Sequence, residues 1–175
     1  IVSAPGDPFL EFYFSTVPEG PLSPRLAALK AGDAVQVAPK PNGFLVLDEV
    51  PPSIHLWLVS TGTGLGPFLS ILNTPEPWQR FQRVVLVHAA RTADELTYRR
   101  AIARIAEAEP KRFTYVPFLS RESADYALAG RIPQAIADGR LEARAGLGFD
   151  AALAHVMLCG NPAMVADASA ALTTR

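Results

Sequence analysis

Four apolar runs that do not alternate with polar residues constrain this chain most. They cover residues 54–59 (IHLWLV), 84–89 (VVLVHA), 114–119 (TYVPFL) and 156–158 (VML). A strand with one face in water alternates apolar and polar side chains, whereas a strand covered on both faces is apolar throughout. Helical patterns separate the runs, at residues 67–72, 94–107, 133–137 and 162–172. Strands alternating with helices imply right-handed βαβ crossovers. The expected fold class is therefore α/β, with a parallel, doubly wound sheet.

The first 50 residues read differently. Residues 10–17 (LEFYFSTV) are rich in aromatic and β-branched side chains and end at Pro18-Glu19-Gly20, the signature of a strand and a turn. A short helix follows, with Ser23 expected as N-cap and Pro24 at its first position. Two further strands are expected at residues 35–37 and 44–47, the second entered through an Asn42-Gly43 turn. Pro51-Pro52 disfavours both helix and central strand and marks a linker. Two units follow from this: residues 1–50, mostly β, and residues 51–175, α/β.

Composition narrows the partners. Sixteen Lys and Arg residues against seventeen Asp and Glu leave no sequence-wide field for nucleic acid or an anionic membrane. No apolar run reaches the ~18 residues of a membrane span, and no basic-then-apolar leader opens the chain. The single cysteine, Cys159, has no partner for an internal disulfide, which fits a reducing cytoplasm. Ile1 leading directly into Val2-Ser3-Ala4-Pro5 reads as the continuation of a longer chain.

The first apolar run leads into Ser60-Thr61-Gly62-Thr63-Gly64-Leu65-Gly66-Pro67 and then a helix. Small residues there let the backbone approach a ligand, and a helix N-terminus presents free N–H groups to an anion. The spacing Gly62-x-Gly64-x-Gly66 departs from the common dinucleotide pattern G-x-G-x-x-G, and a turn needing glycine for packing alone is the competing reading. The second run ends at His88-Ala89-Ala90-Arg91. An arginine there suits a ribose phosphate, where an acid would suit free ribose hydroxyls. Ser120-Arg121 and Gly130-Arg131 place two more guanidinium groups at or beside strand ends. Arginine supplies 13 of the 16 basic residues, so position rather than residue type carries this argument.

Met157-Leu158-Cys159-Gly160-Asn161-Pro162 repeats the strand, small-residue turn, helix design. A thiol at a strand's carboxyl end suits the border of a reacting ring; an inert buried thiol is the alternative. His55, His88 and His155 lie in or beside apolar runs, lack metal-ligand spacing and read as core or strand-edge histidines. No metal site is expected.

Taken in order, G-x-LSPRL at 20–26, GFLVLDEV at 43–50, TGTGLGP at 61–67, HAAR at 88–91, SR at 120, GRIP at 130 and CGNP at 159–162 resemble bacterial ferredoxin (flavodoxin)–NADP+ reductases. The resemblance runs almost end to end, and the joint order of the motifs is far more specific than any one of them. It implies an antiparallel FAD-binding β-barrel, of which residues 1–50 are the last part, followed by a parallel NADP-binding domain. It also implies that the family's R-x-Y-S flavin motif, with its serine beside the flavin, precedes Ile1, and that a further segment follows Thr173-Thr174-Arg175.

The resemblance assigns roles as well. Pro21, Leu22 and Ser23 would meet the FAD pyrophosphate, Phe14, Ser15 and Thr16 would lie along the flavin, and Thr63 would approach its rings. Arg91, Arg121 and Arg131 would bind the 2′-phosphate of NADP, assisted by Ala90 and Ser120. Cys159 would border the nicotinamide and assist hydride transfer, with Asn161, Pro162 and Ala163 shaping the same pocket. The implied activity is hydride transfer between NADPH and FAD with single-electron exchange to ferredoxin or flavodoxin, by a cytoplasmic monomer. An NADP-binding module without flavin and the reductase domain of an oxygenase or flavohaemoglobin are the alternatives.

Overall fold

A computed structural model describes residues 1–40 and 42–174; Arg175, the last residue of the expected second unit, lies outside them. A short helix α1 (Ser23–Ala27) is followed by strand β1 (His55–Thr61), helices α2 (Leu65–Leu72) and α3 (Glu76–Arg80), and strand β2 (Arg83–Ala90). Helix α4 (Arg99–Ala108), strand β3 (Phe113–Leu119) and the two-residue strand β4 (Leu128–Ala129) come next. Helices α5 (Ile132–Ala137) and α6 (Arg140–Ala145), strand β5 (Ala154–Cys159) and helix α7 (Pro162–Thr173) complete the order.

The five strands form one sheet in the order β4-β3-β2-β1-β5. Every pairing is parallel, with Val59 opposite Val87 on one side and Leu158 on the other. All four expected apolar runs are strands of this sheet, and the doubly wound α/β class holds. The absence of alternation has its expected cause, because successive side chains of β1 enter two different cores. Leu56 and Leu58 join Val84, Leu86, Phe68, Leu69, Ile102 and Ile105 on the face covered by α2 and α4. Trp57 and Val59 join Val85, Val87, Phe118, Ile136, Leu141 and Met164 beneath α5, α6 and α7. Each such leucine or valine, fully removed from water, contributes roughly 1.5–3 kcal/mol.

Several local expectations are corrected. Residues 10–17, 35–37 and 44–47 form no strand; Leu47–Glu49 is a single 3-10 turn. A strand is stable only when its backbone is paired, and the segment around Glu11 makes one backbone bond, from Val2 N–H to the Glu11 carbonyl at 2.8 Å. Phe9, Leu10, Phe12, Phe14 and Val17 accordingly stand exposed. Ser23 does not cap α1: its hydroxyl reaches back to accept the Val17 N–H at 2.9 Å, and Leu22 occupies the N-cap position without a side-chain bond. The helix expected over 94–107 is broken, because Tyr98 adopts a left-handed conformation and α4 starts only at Arg99. Helices α3 and α6 and strand β4 were not anticipated; α6 is six residues long and set between left-handed Gly139 and Gly146.

Candidate functional site

The sheet reverses its winding at β1. From β1 the chain steps outward through β2, β3 and β4, then returns beneath α5 and α6 to place β5 on the other side of β1. Ligands of open α/β sheets bind in the crevice outside the carboxyl ends of the strands at such a reversal. Here those ends are Thr61 and Cys159, and the turns that follow them are locked together.

Gly64 sits against the Cys159–Gly160 backbone so closely that an added Cβ would fall inside 3.0 Å of the Cys159 carbonyl and 2.9 Å from the Gly160 Cα. Gly160, at φ +138°, is equally close to Thr61: a Cβ there would lie 2.8 Å from the Thr61 carbonyl oxygen and 2.9 Å from its nitrogen. The Thr61 hydroxyl accepts the Asn161 N–H at 2.9 Å. Asn161 then caps α7, its Oδ1 accepting from the N–H groups of Ala163 at 2.9 Å and Met164 at 3.4 Å. This is an N-cap of the usual kind, followed by Pro162 at the first helical position.

His88 secures the glycine turn from below. It is fully buried in β2, and its Nε2 lies 3.2 Å from the Gly62 carbonyl oxygen. A carbonyl only accepts, so Nε2 carries the proton and Nδ1 is left without a partner among the described residues. Burial lowers the imidazole pKa to about 4, which keeps it neutral. The sequence reading of a core histidine holds; its grip on Gly62 had no sequence signal. Gly62 itself is left-handed at φ +52°.

The arginine side is built from the ends of β2 and β3. The Ser120 N–H donates to the Ala90 carbonyl at 3.1 Å and the Arg121 N–H to the Arg91 carbonyl at 2.9 Å, carrying the two chains past the strand ends in register. The Gly130 N–H donates to the Leu119 carbonyl at 2.9 Å, so Arg131 emerges beside them. All three residues are exposed. Among the described residues their guanidinium groups meet no protein partner, whereas those of Arg80, Arg83, Arg99, Arg112, Arg140 and Arg144 are committed to carbonyls, hydroxyls or carboxylates. Arg25, Arg100 and Arg104 are also uncommitted, but they stand on helices rather than at strand ends.

Cys159 is a free, half-buried thiol whose pKa is pushed up by burial. It is therefore a protonated thiol at neutral pH rather than a nucleophile. Of the expected flavin-side residues, Thr63 lies in the glycine turn and the others precede β1. Phe14, Ser15, Thr16, Pro21 and Leu22 are exposed, and Ser23 ties the two groups together through Val17. Bonds from the N-terminal segment to the α/β layer fall elsewhere: Ser70 Oγ to the Ser3 carbonyl at 2.7 Å, Tyr98 to Glu11, and Arg80 to the carbonyls of Leu47 and Val50. No cluster of metal-ligating side chains and no helix able to cross a membrane occurs among the described residues.

A glycine-lined reversal point with unpaired arginines beside it defines a dinucleotide-binding domain of the oxidoreductase type, and residues 58–170 match the family described as Oxidoreductase NAD-binding domain. The chain is 49% identical over 166 residues to the flavodoxin/ferredoxin–NADP reductase of Escherichia coli K12, covering 95% of this chain and 67% of that protein. A ferredoxin NADP+ reductase of Neisseria gonorrhoeae, solved with bound FAD and NADP, superimposes with a TM-score of 0.84 at 32% identity, over 90% of this chain and 63% of that one. A flavohemoglobin of Malassezia yamatoensis, at 19% identity and a TM-score of 0.70, shares the fold over 92% of this chain and 39% of its own. The chain belongs to the flavodoxin/ferredoxin–NADP reductase family and spans about two thirds of the length of its relatives.

Proposed function

We propose that this chain forms the NADP-binding unit, residues 51–175, and the adjoining part of the FAD-binding unit, residues 1–50, of an enzyme that exchanges electrons between NADPH and ferredoxin or flavodoxin. The observation that carries this reading is the backbone lock between Gly64 and Cys159 at the sheet's reversal point. It brings a small-residue turn and a thiol together at the carboxyl ends of β1 and β5, the edge at which such sheets bind dinucleotides.

The residues present fit NADP. Arg91, Arg121 and Arg131, left without protein partners, would grip the 2′-phosphate through charge-assisted bonds, with Ala90 and Ser120 carrying their backbones into register. Gly62 leaves open space where a side chain would stand, and Gly160 lets the turn after β5 pack directly on Thr61, with which a side chain there would collide. Cys159, with Asn161, Pro162 and Ala163 behind it, would border the nicotinamide and exclude water while its proton stays in place. Thr63, Phe14, Ser15, Thr16, Pro21, Leu22 and Ser23 would hold the FAD side. When bound, the two cofactors supply hydride exchange and the flavin supplies single-electron exchange; the protein orients them. The lone thiol supports a cytoplasmic setting, and we take the working form as a monomer, which sedimentation checks.

The deciding experiment follows flavin absorbance of the full-length protein on mixing with NADPH, then turnover with ferredoxin, flavodoxin and cytochrome acceptors. Flavin bleaching by NADPH in preference to NADH, followed by ferredoxin or flavodoxin reduction, is expected. A colourless protein that binds NADP without redox chemistry overturns the reading.

A further inference from the structure

One polar contact joins the segment that bears Phe14–Thr16 to the loop that leaves Arg91. The Tyr98 hydroxyl donates to Glu11 Oε1 at 2.7 Å, across 87 residues of sequence. The Tyr98 ring also packs edge-on against Tyr13, centroids 5.3 Å apart at 71°. Tyr98 is the one non-glycine residue with positive φ among the described residues, at φ 57° and ψ 19°. Bulky side chains avoid that region, and it persists only where surrounding contacts hold it.

Both ends of this contact are anchored. On the Glu11 side, its N–H donates to the Ser3 hydroxyl at 3.1 Å, and the Ser3 carbonyl accepts from Ser70 on α2, the helix that issues from the glycine turn. On the Tyr98 side, the Arg91 N–H donates to Glu95 at 3.0 Å and the Ala93 N–H to Glu122 at 2.7 Å. Arg99 holds the carbonyls of Leu96 and Ala93. The loop from Arg91 to Tyr98 thus behaves as a braced arm with the tyrosine at its tip. Attachment of the N-terminal segment is already provided by buried Val2, Leu47 and Val50 and by the two hydrogen bonds that Arg80 donates to the Leu47 and Val50 carbonyls. Because the Tyr98–Glu11 bond is exposed to water, which screens it, it adds little to such attachment. What it adds is direction, since the bond is short and its donor is held in a restricted conformation.

We propose that Tyr98 and Glu11 form a positioning clasp that sets the angle between the N-terminal segment and the α/β layer, and with it the approach of the two cofactor rings. The clasp rests on the function proposed above. Neither residue touches the reacting atoms; both act through the segments they join. Hydride transfer depends steeply on such an approach, a misplacement of about 1 Å costing on the order of a hundredfold in rate.

The test uses the full-length flavoprotein with Tyr98→Phe, which keeps the ring against Tyr13 but removes the hydroxyl, and Glu11→Gln, which still accepts a hydrogen bond. Stopped-flow reduction by NADPH should slow by roughly tenfold or more in Tyr98→Phe, with a weakened long-wavelength band from nicotinamide stacked on flavin. NADP affinity and the melting midpoint should be unchanged, and Glu11→Gln should keep most of the rate that Glu11→Ala loses. Hydrogen exchange should quicken together in residues 9–17 and 92–99. An unaltered rate and band in both Tyr98→Phe and Glu11→Ala, or exchange that quickens in one segment alone, overturns the clasp. If the unsubstituted protein shows no flavin reduction, the proposed function fails, and the coupled exchange still decides the clasp.

Discussion

Gly64 lies with its Cα turned into the carbonyl of Cys159, at a separation that leaves no room for a side chain. The turns after β1 and β5 are consequently one unit of backbone, and main chain rather than side chains shapes the surface they form together.

Replacing Gly64 by alanine sets a Cβ against backbone on the neighbouring turn, which has no rotamer by which to yield. We expect a loss of about 1–3 kcal/mol in stability and a large loss of NADPH-driven flavin reduction. Gly62→Ala is the control: its Cβ meets nothing within 4 Å, so only the left-handed backbone cost of roughly 1 kcal/mol applies. Urea unfolding midpoints for the two variants measure the difference, and equal losses would refute the steric account.

His88 makes stability depend on acid. Burial lowers its folded pKa to about 4 from the ordinary 6.5, so the unfolded chain binds the extra proton between these values. Its contribution is complete above pH 6.5 and is lost as pH falls toward 4, by roughly 3 kcal/mol in all. Chemical unfolding at pH 7, 5.5 and 4.5 should show this fall, and His88→Gln should flatten that part of the profile.

Arg121→Ala should weaken NADP far more than NAD, because the lost charge-assisted bond to phosphate amounts to about 1.5–3 kcal/mol. Calorimetric titration with both nucleotides checks this; an equal weakening of NADP and NAD would exclude a phosphate role.

Cys159→Ala should slow hydride transfer while NADP affinity stays nearly constant, since the thiol packs without forming a bond to the ligand. Because burial pushes its pKa up, iodoacetamide should label Cys159 slowly at pH 7, and bound NADP should slow labelling further. Rapid labelling unaffected by NADP would place the thiol outside the crevice.

The central sheet was legible in the residues because burial on both faces leaves a local mark, an apolar run without alternation, in every major strand. Arg91, Arg121 and Arg131 were legible for a related reason: each follows a recognisable strand end or a glycine. Residues 10–17 misled, since their aromatic and β-branched composition describes a strand, while being a strand depends on a pairing partner elsewhere. Ser23 misled similarly, as its hydroxyl accepts from the Val17 N–H on the preceding turn instead of capping α1. Helix α6 is too short to display a period, and only the paired glycines at 139 and 146 hinted at its bounds.

By itself the sequence determined the α/β class, the position of the glycine turn and the placement of arginines at strand ends, all of which rest on patterns a few residues long. Tertiary structure alone decided that Gly64 meets Cys159, that His88 holds Gly62 and that Tyr98 reaches Glu11. Those contacts join residues from 26 to 95 positions apart, and no local periodicity records which distant backbone a turn will press against once the sheet has closed.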